Sequence, residues 1–357
     1  MNYFKERRIS LDFVAERSET MNDDAVHIMK EKGLIQNGFL LDRLSIKKNR
    51  FKYLLLHSIP RKFLGGVRDF DRTKYKQKEA FRKICESNEY DYIIISYACW
   101  APLLDCLPKK SKTKYIIDTH DFLTSQFKNS KRFRLGKYFE EEIRMLNKFD
   151  RVWVISNDEK YLFSQFLSKE IDLIPHSLPN NSSLNVQEKS TDILYVASDN
   201  IHNKKSADWF FSNVYPLLEK DYSITVVGSI NNHIPDFDNI TKVTYAEDLT
   251  KIYSESRITV CPMLSGTGLK IKVVESLSFG LPVVCTEKGV DGLPNKTNNG
   301  CLIADDVSVF ASYVSKLLED NQFYQEQAGE AKSFFNAFFD IETSYKKLDT
   351  IFKYKDK

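Results

Sequence analysis

Between Ser265 and Glu275 the sequence concentrates two glycines, two lysines and a carboxylate: Gly266, Gly268, Lys270, Lys272 and Glu275. Glycines let the backbone approach a ligand closely. A helix predicted from Leu269 to Phe279 would begin at this turn, and free amides at a helix start favour an anion by roughly 0.3 to 1 kcal/mol. Lys270 and Lys272 add positive charge, and Glu275 follows Lys272 by one turn on a neighbouring face. A diphosphate at the helix start and a ribose diol on the carboxylate would use all of these groups. Read alone, the same residues also suit an ordinary surface Lys–Glu helix.

Those residues need a scaffold, and the rest of the chain suggests one. Short β-branched or aromatic runs recur between amphipathic segments of helix length: Ile9–Val14, Tyr92–Tyr97, Lys114–Thr119, Arg151–Ser156 and Ile171–Pro175. A second series comprises Asp192–Ala197, Ser223–Gly228, Lys242–Tyr245, Arg257–Pro262 and Pro282–Thr286. Continuous apolar character, as in Tyr92–Tyr97, predicts strands covered on both faces, hence parallel sheet. Strand–helix alternation in both series predicts two doubly wound α/β domains, separated by the polar stretch Pro179–Ser190. The expected boundaries are 1–180, 190–335, and a C-terminal helix over 336–357 that packs back toward the first domain. Ligands of such sheets bind at the carboxyl ends of strands, which makes the cleft between two domains the default site.

With 357 residues, 42% hydrophobic and 28% charged, the chain is of the globular type. No apolar run reaches the roughly 18 to 20 residues of a membrane span, and the N-terminus lacks the apolar core of a signal peptide. A cytoplasmic location is therefore expected. Six cysteines stand singly with no CxxC pair, which predicts reduced thiols. The net charge of +3 hides an asymmetry: residues 1–180 hold 34 Lys and Arg against 25 Asp and Glu, the remainder 18 against 24. The segment 46–83 carries 13 basic and three acidic residues among aromatics and leucines. It reads either as a solvated face or as a contact with an anionic membrane surface at its inner face. No nucleic-acid-binding motif accompanies the charge, so nucleic acid is not an expected partner.

The run Gly266–Val284, followed by Gly289-Val-Asp-Gly-Leu293, resembles the donor-nucleotide motif of family 4 of the retaining glycosyltransferases, which have the GT-B fold of two facing doubly wound, Rossmann-like domains. Further segments match in order. Asp118-Thr-His-Asp121 looks like the family's histidine loop. Phe139–Ser156 resembles the helix and strand that lead to its interdomain linker. Ile174-Pro-His-Ser177 stands where the family has Pro-Asn-Gly, and Tyr195–Leu218 resembles the start of its donor domain. The resemblance covers about residues 90–350 and points to a bacterial surface-polysaccharide enzyme.

The resemblance implies sugar transfer from a nucleotide diphosphate sugar to a glycan or lipid-linked acceptor, with retention and without a metal or other cofactor. Glu275 would bind the ribose hydroxyls, Lys272 and Lys270 the diphosphate, and Gly266, Thr267, Gly268 and Leu269 its oxygens through backbone amides. His202, just after the first strand of the second series, would add a contact to the diphosphate. His120 and Asp121 would serve the sugar or acceptor from the first domain. A binding or scaffold protein that kept the fold and lost catalysis is the alternative.

Two departures from the family pattern stand out. Thr267 occupies a position where the commoner pattern has glutamate. A family member also begins with a strand and a glycine-rich loop before the segment resembling Ile9–Val14, whereas Met1–Arg8 looks like the end of the first helix. A shortened, poorly active form is therefore expected. Asp69-Phe-Asp71 and Asp236-Phe-Asp238 spell Asp-x-Asp, but the first reads as a helix start and the second as a turn, so no metal site is expected.

Overall fold

The computed structural model describes residues 1–42, 70–108, 112–184, 188–266 and 268–354. The basic segment 46–83 thus falls outside the described residues as far as residue 69, and Thr267 also lies outside them. The chain divides into two compact units. Unit 1 comprises residues 1–154, 159–172 and 353–357, and unit 2 comprises residues 155–158 and 173–352. The division falls ahead of Pro179–Ser190, and the last long helix, Ile341–Phe352, belongs to unit 2.

Unit 1 runs in the order α1 (Asn2–Glu6), β1 (Asp12–Glu16), α2 (Asp23–Glu31), β2 (Asn37–Leu41), α3 (Tyr75–Ser87), β3 (Tyr92–Ser96), β4 (Lys114–Asp118), α4 (Leu123–Gln126), α5 (Leu135–Leu146) and β5 (Arg151–Val154). Then come α6 (Asn157–Ser164) and β6 (Glu170–Leu173). Among the described residues the strands form two ladders, β1 with β2 and a four-stranded sheet in the order β3-β4-β5-β6. The pairs β1–β2, β3–β4 and β4–β5 are parallel. Met1–Arg8 is helical over Asn2–Glu6.

The core of this unit follows from periodicity. α5 buries Tyr138, Glu142, Met145 and Leu146, one stripe at helical spacing, while β4 and β5 bury Ile116, Ile117, Val152 and Val154. A carboxylate therefore stands in an otherwise apolar stripe. Of Asp69-Phe-Asp71, Asp69 lies outside the described residues; Asp71 Oδ1 accepts from the Thr73 amide at 2.8 Å, and α3 begins at Tyr75.

Unit 2 contains β7 (Thr191–Val196), α7 (Ile201–Trp209), β8 (Ile224–Val227), β9 (Ile240–Val243), α8 (Thr250–Ser254), β10 (Ser256–Cys261), α9 (Ile271–Ser278), β11 (Val283–Cys285) and β12 (Cys301–Ile303). Three helices close it: α10 (Val307–Glu319), α11 (Asn321–Phe338) and α12 (Ile341–Phe352). The sheet order is β12-β11-β10-β7-β8-β9, with every neighbouring pair parallel. This is the doubly wound order in which the first strand is central and the direction of winding reverses beside it. The reversal lies between β7 and β10. No helix among the described residues is long and apolar enough to cross a membrane, and all six cysteines are free thiols, five of them buried.

Candidate active site

In a doubly wound sheet the helices after the two strands at the reversal diverge, leaving a crevice outside their carboxyl ends. In unit 2 those strands are β7, which leads into α7, and β10, which leads through the glycine loop into α9. The start of α7 is well defined because Asn200 caps it, its Oδ1 accepting from the amides of His202 and Asn203 at 3.0 Å each. His202 lies exposed beyond that cap, and its Nδ1 is 2.8 Å from Ser265 Oγ in the β10 loop. This hydrogen bond spans the crevice.

The loop itself has Gly266 at φ 107° and Gly268 at φ 76°, both left-handed conformations that residues with a Cβ rarely adopt. Lys270 is buried at the base of the loop, where Nζ donates to the Gly268 carbonyl at 2.7 Å. Burial pulls its pKa below the ordinary lysine value, against the attraction of Asp291. The expected helix start at Leu269 shifts to Ile271: Lys270 stands at the N-cap position in extended conformation, and its side chain makes no capping hydrogen bond.

Lys272 and Glu275 project from successive turns of α9, both half-buried. Lys272 Nζ donates to Asn203 Oδ1 at 3.2 Å and lies 5.9 Å from the centre of the Tyr195 ring. Asn203 is anchored in turn, its Nδ2 donating to the Ser198 carbonyl at 2.9 Å. Glu275 Oε2 accepts from the Tyr253 hydroxyl at 3.0 Å. Burial raises the pKa of Glu275, opposed by the Tyr253 bond and by Lys272. The unit thus gathers His202, Gly266, Gly268, Leu269, Lys270, Lys272 and Glu275 around one crevice and adds Asn203, Tyr253 and Ser265. Ser265 and Asn203 adjoin residues that the sequence singles out, whereas nothing in its spacing marks Tyr253, which sits in α8 and reads as an ordinary packing residue.

The other two candidates, His120 and Asp121, belong to unit 1, just past the carboxyl end of β4. His120 Nε2 is 2.7 Å from Asp118 Oδ2, and its ring stacks on Tyr97 with centroids 4.5 Å apart and planes 20° apart. Its pKa is raised, chiefly by the hydrogen bond to Asp118, with burial opposing and Asp121 and Glu159 adding attraction. Burial raises the pKa of Asp121 against a hydrogen bond from Gln126. Next along the chain, the amides of Leu123 and Thr124 donate to the two carboxylate oxygens of Glu142 at 2.8 Å each. Burial pushes the Glu142 pKa up to about 7. Among the described residues, no group of three or more His, Cys, Asp or Glu side chains has the placement of a metal site; Asp236 instead pairs with Lys242 at 2.6 Å.

Residues 190–320, which include His202, Gly266, Gly268, Lys270, Lys272 and Glu275, match the family model described as Glycosyl transferases group 1. An uncharacterized 44.6 kDa protein in the cps region of Klebsiella pneumoniae is 24% identical over 349 residues, spanning 90% of this chain and 85% of that protein. Among solved structures, sucrose-phosphate synthase from Thermosynechococcus elongatus aligns with a TM-score of 0.65 at 14% identity, covering 96% of this chain and 98% of that one. HepE from Anabaena, solved with UDP-glucose, aligns at 0.67 and 10% identity over 96% and 99% of the two chains. A TarM variant from S. aureus, solved with fondaparinux, alpha-GlcNAc-glycerol and UDP, aligns at 0.68 and 12% identity over 98% and 94%. These near full-length likenesses identify the fold as GT-B.

Proposed function

We propose that the chain transfers a sugar from a nucleoside diphosphate sugar to a hydroxyl group of a glycan or lipid-linked acceptor, with retention at the anomeric carbon. The observation that carries this reading is the pairing of Lys272 and Glu275 on successive turns of α9, at the end of a glycine loop within the matched segment 190–320. UDP in the HepE and TarM complexes supports a nucleotide donor. The relative in the cps region supports a glycan-building role.

In this reading Glu275 accepts hydrogen bonds from the ribose diol. Lys272, Lys270 and the first amides of α9 hold the diphosphate, whose negative charge grows as its bond to the anomeric carbon breaks. The acceptor oxygen forms its new bond to the same face of the sugar, and its proton passes to the departing phosphate oxygen. No side-chain nucleophile and no metal are needed, so the protein's contribution is positioning and charge stabilisation. His120 and Asp121 serve the acceptor-side chemistry.

A thermal-shift screen with UDP, GDP, ADP, TDP and CMP sugars tests the reading. A ligand at a hundred times its dissociation constant adds about 2.7 kcal/mol of stability, and UDP-glucose is the first candidate. Stabilisation by no nucleotide sugar overturns the proposal. Binding without turnover, across a panel of glycosides and lipid-linked glycans, leaves a carbohydrate-binding scaffold. Proton NMR of the product then reads the anomeric configuration directly.

A further inference from the structure

Strands β3 and β4 are parallel neighbours with Ser96 opposite Asp118, so the chain leaves the sheet at two adjacent points. At the first point Tyr97 stands at φ 68° and ψ 122°; at the second His120 stands at φ 60°. Non-glycine residues seldom adopt such backbone angles, and they persist where surrounding contacts over-determine them, often at functional sites. Both outliers are tied to one residue. The Asp118 carbonyl accepts from the Tyr97 amide at 2.8 Å, and its carboxylate takes His120 Nε2 at 2.7 Å and the Ser96 hydroxyl at 3.3 Å. The result is the stack of the Tyr97 ring on the His120 imidazole. Tyr97 remains 45% exposed, which a tyrosine serving only as core would not be.

We propose that Tyr97 is a positioning residue: its ring and the Asp118 carboxylate together fix the plane and the proton-bearing state of the His120 imidazole. An aromatic face attracts a cation stacked on it, so Tyr97 favours the imidazolium as Asp118 does. The other groups acting on the ring, Asp121 and Glu159, are both acidic and act in the same direction. The consequence for catalysis rests on the glycosyl-transfer reading above, in which His120 serves the acceptor side.

The test uses the full chain with isotope-labelled histidine. His120→Gln assigns the His120 signals by their disappearance from the NMR spectrum. In Tyr97→Leu, those signals should lose the upfield shift that the stacked ring causes, and their titration midpoint should fall; Tyr97→Phe should preserve both. Tyr97→Met is the second variant should the leucine form not fold. Kinetics with the nucleotide sugar found in the screen should show kcat lowered on the order of 10- to 100-fold in Tyr97→Leu, an unchanged KM for the donor, and recovery in Tyr97→Phe. An unchanged His120 shift and midpoint in a folded Tyr97→Leu or Tyr97→Met chain overturns the proposal. A wild-type chain that turns over no nucleotide sugar removes the transfer reaction instead, and the NMR result still decides the role of Tyr97.

Discussion

The hydroxyl of Tyr253 reaches Glu275 Oε2 at 3.0 Å from a ring that is almost fully buried and stacked on Phe279, with centroids 5.2 Å apart and planes 11° apart. A carboxylate on a helix face has rotamer freedom, and a hydrogen bond from a fixed phenol removes it. Tyr253 therefore sets the direction in which Glu275 presents its other oxygen, which accepts no side-chain hydrogen bond among the described residues.

Tyr253→Phe removes one hydroxyl and leaves the stack in place. Hydrogen bonds to charged groups contribute on the order of 1.5 to 3 kcal/mol, so ribonucleoside diphosphate affinity should fall by about tenfold or more. A 2′,3′-dideoxynucleotide, which offers Glu275 no diol, should bind both forms equally. Calorimetry that finds the ribonucleotide unaffected in Tyr253→Phe, and also in Glu275→Ala, would show that the carboxylate does not touch the ribose.

Lys272 has a different expected signature. Its ammonium is held by Asn203 Oδ1 at 3.2 Å, close to the start of α9, so its contribution should scale with ligand charge. Lys272→Ala should lower UDP affinity by roughly 10- to 100-fold, the range for a charge-assisted hydrogen bond. Uridine affinity should not change. A matched loss for both ligands would point to a damaged fold instead of a lost phosphate contact.

Much of this arrangement was legible before the structure, for physical reasons. All ten expected strands occur, because β-branched runs bounded by turns carry a strong local signal. Asn37–Leu41 and Cys301–Ile303 were missed: the first has a glycine at its second position, and the second is a three-residue edge strand after the polar stretch Asn295–Gly300. In the site, glycine, lysine and glutamate were readable because their types are costly to place without purpose. Tyr97 read as the last residue of a strand, since a left-handed backbone angle leaves no mark in composition. Tyr253 and Glu142 were equally hidden, because their roles depend on residues 22 and 19 positions away.

Gly292, in the segment Gly289–Leu293, bears on the same loop. It stands at φ 83°, and a Cβ there would come within 3.0 Å of the Leu269 amide nitrogen and Cα. Gly292→Ala therefore meets both backbone strain and a collision with the residues that lead into α9. The conformational penalty alone is of order 1 to 2 kcal/mol, which lowers Tm by about 2 to 4 °C per kcal/mol in a domain of this size. UDP binding should weaken beyond what that destabilisation explains, since Leu269 must move. Calorimetry well below the transition separates the two effects, and intact affinity there would mean that the loop tolerates the shift.

Glu142 offers a prediction in pH. Its carboxylate is buried in the core stripe of α5 and receives the first amides of α4, two residues after Asp121. Its pKa stands at about 7 against an ordinary 4.5, so between those values the folded chain holds a proton that the unfolded chain has released. Stability from this group is complete below about pH 4.5 and falls as pH rises toward 7, approaching about 1.4 kcal/mol per pH unit in mid-window. Glu142→Gln is neutral at every pH and keeps one carbonyl for the amides. The stability advantage of wild type over Glu142→Gln should therefore shrink between pH 5 and 7 and level off above. Urea denaturation of both chains across pH 5 to 8 measures the difference, and a constant gap would show that Glu142 is already ionised at pH 5. Because the amides it holds lie two and three residues after Asp121, any activity that depends on that loop should decline in Glu142→Ala, which offers them no acceptor, more than in Glu142→Gln.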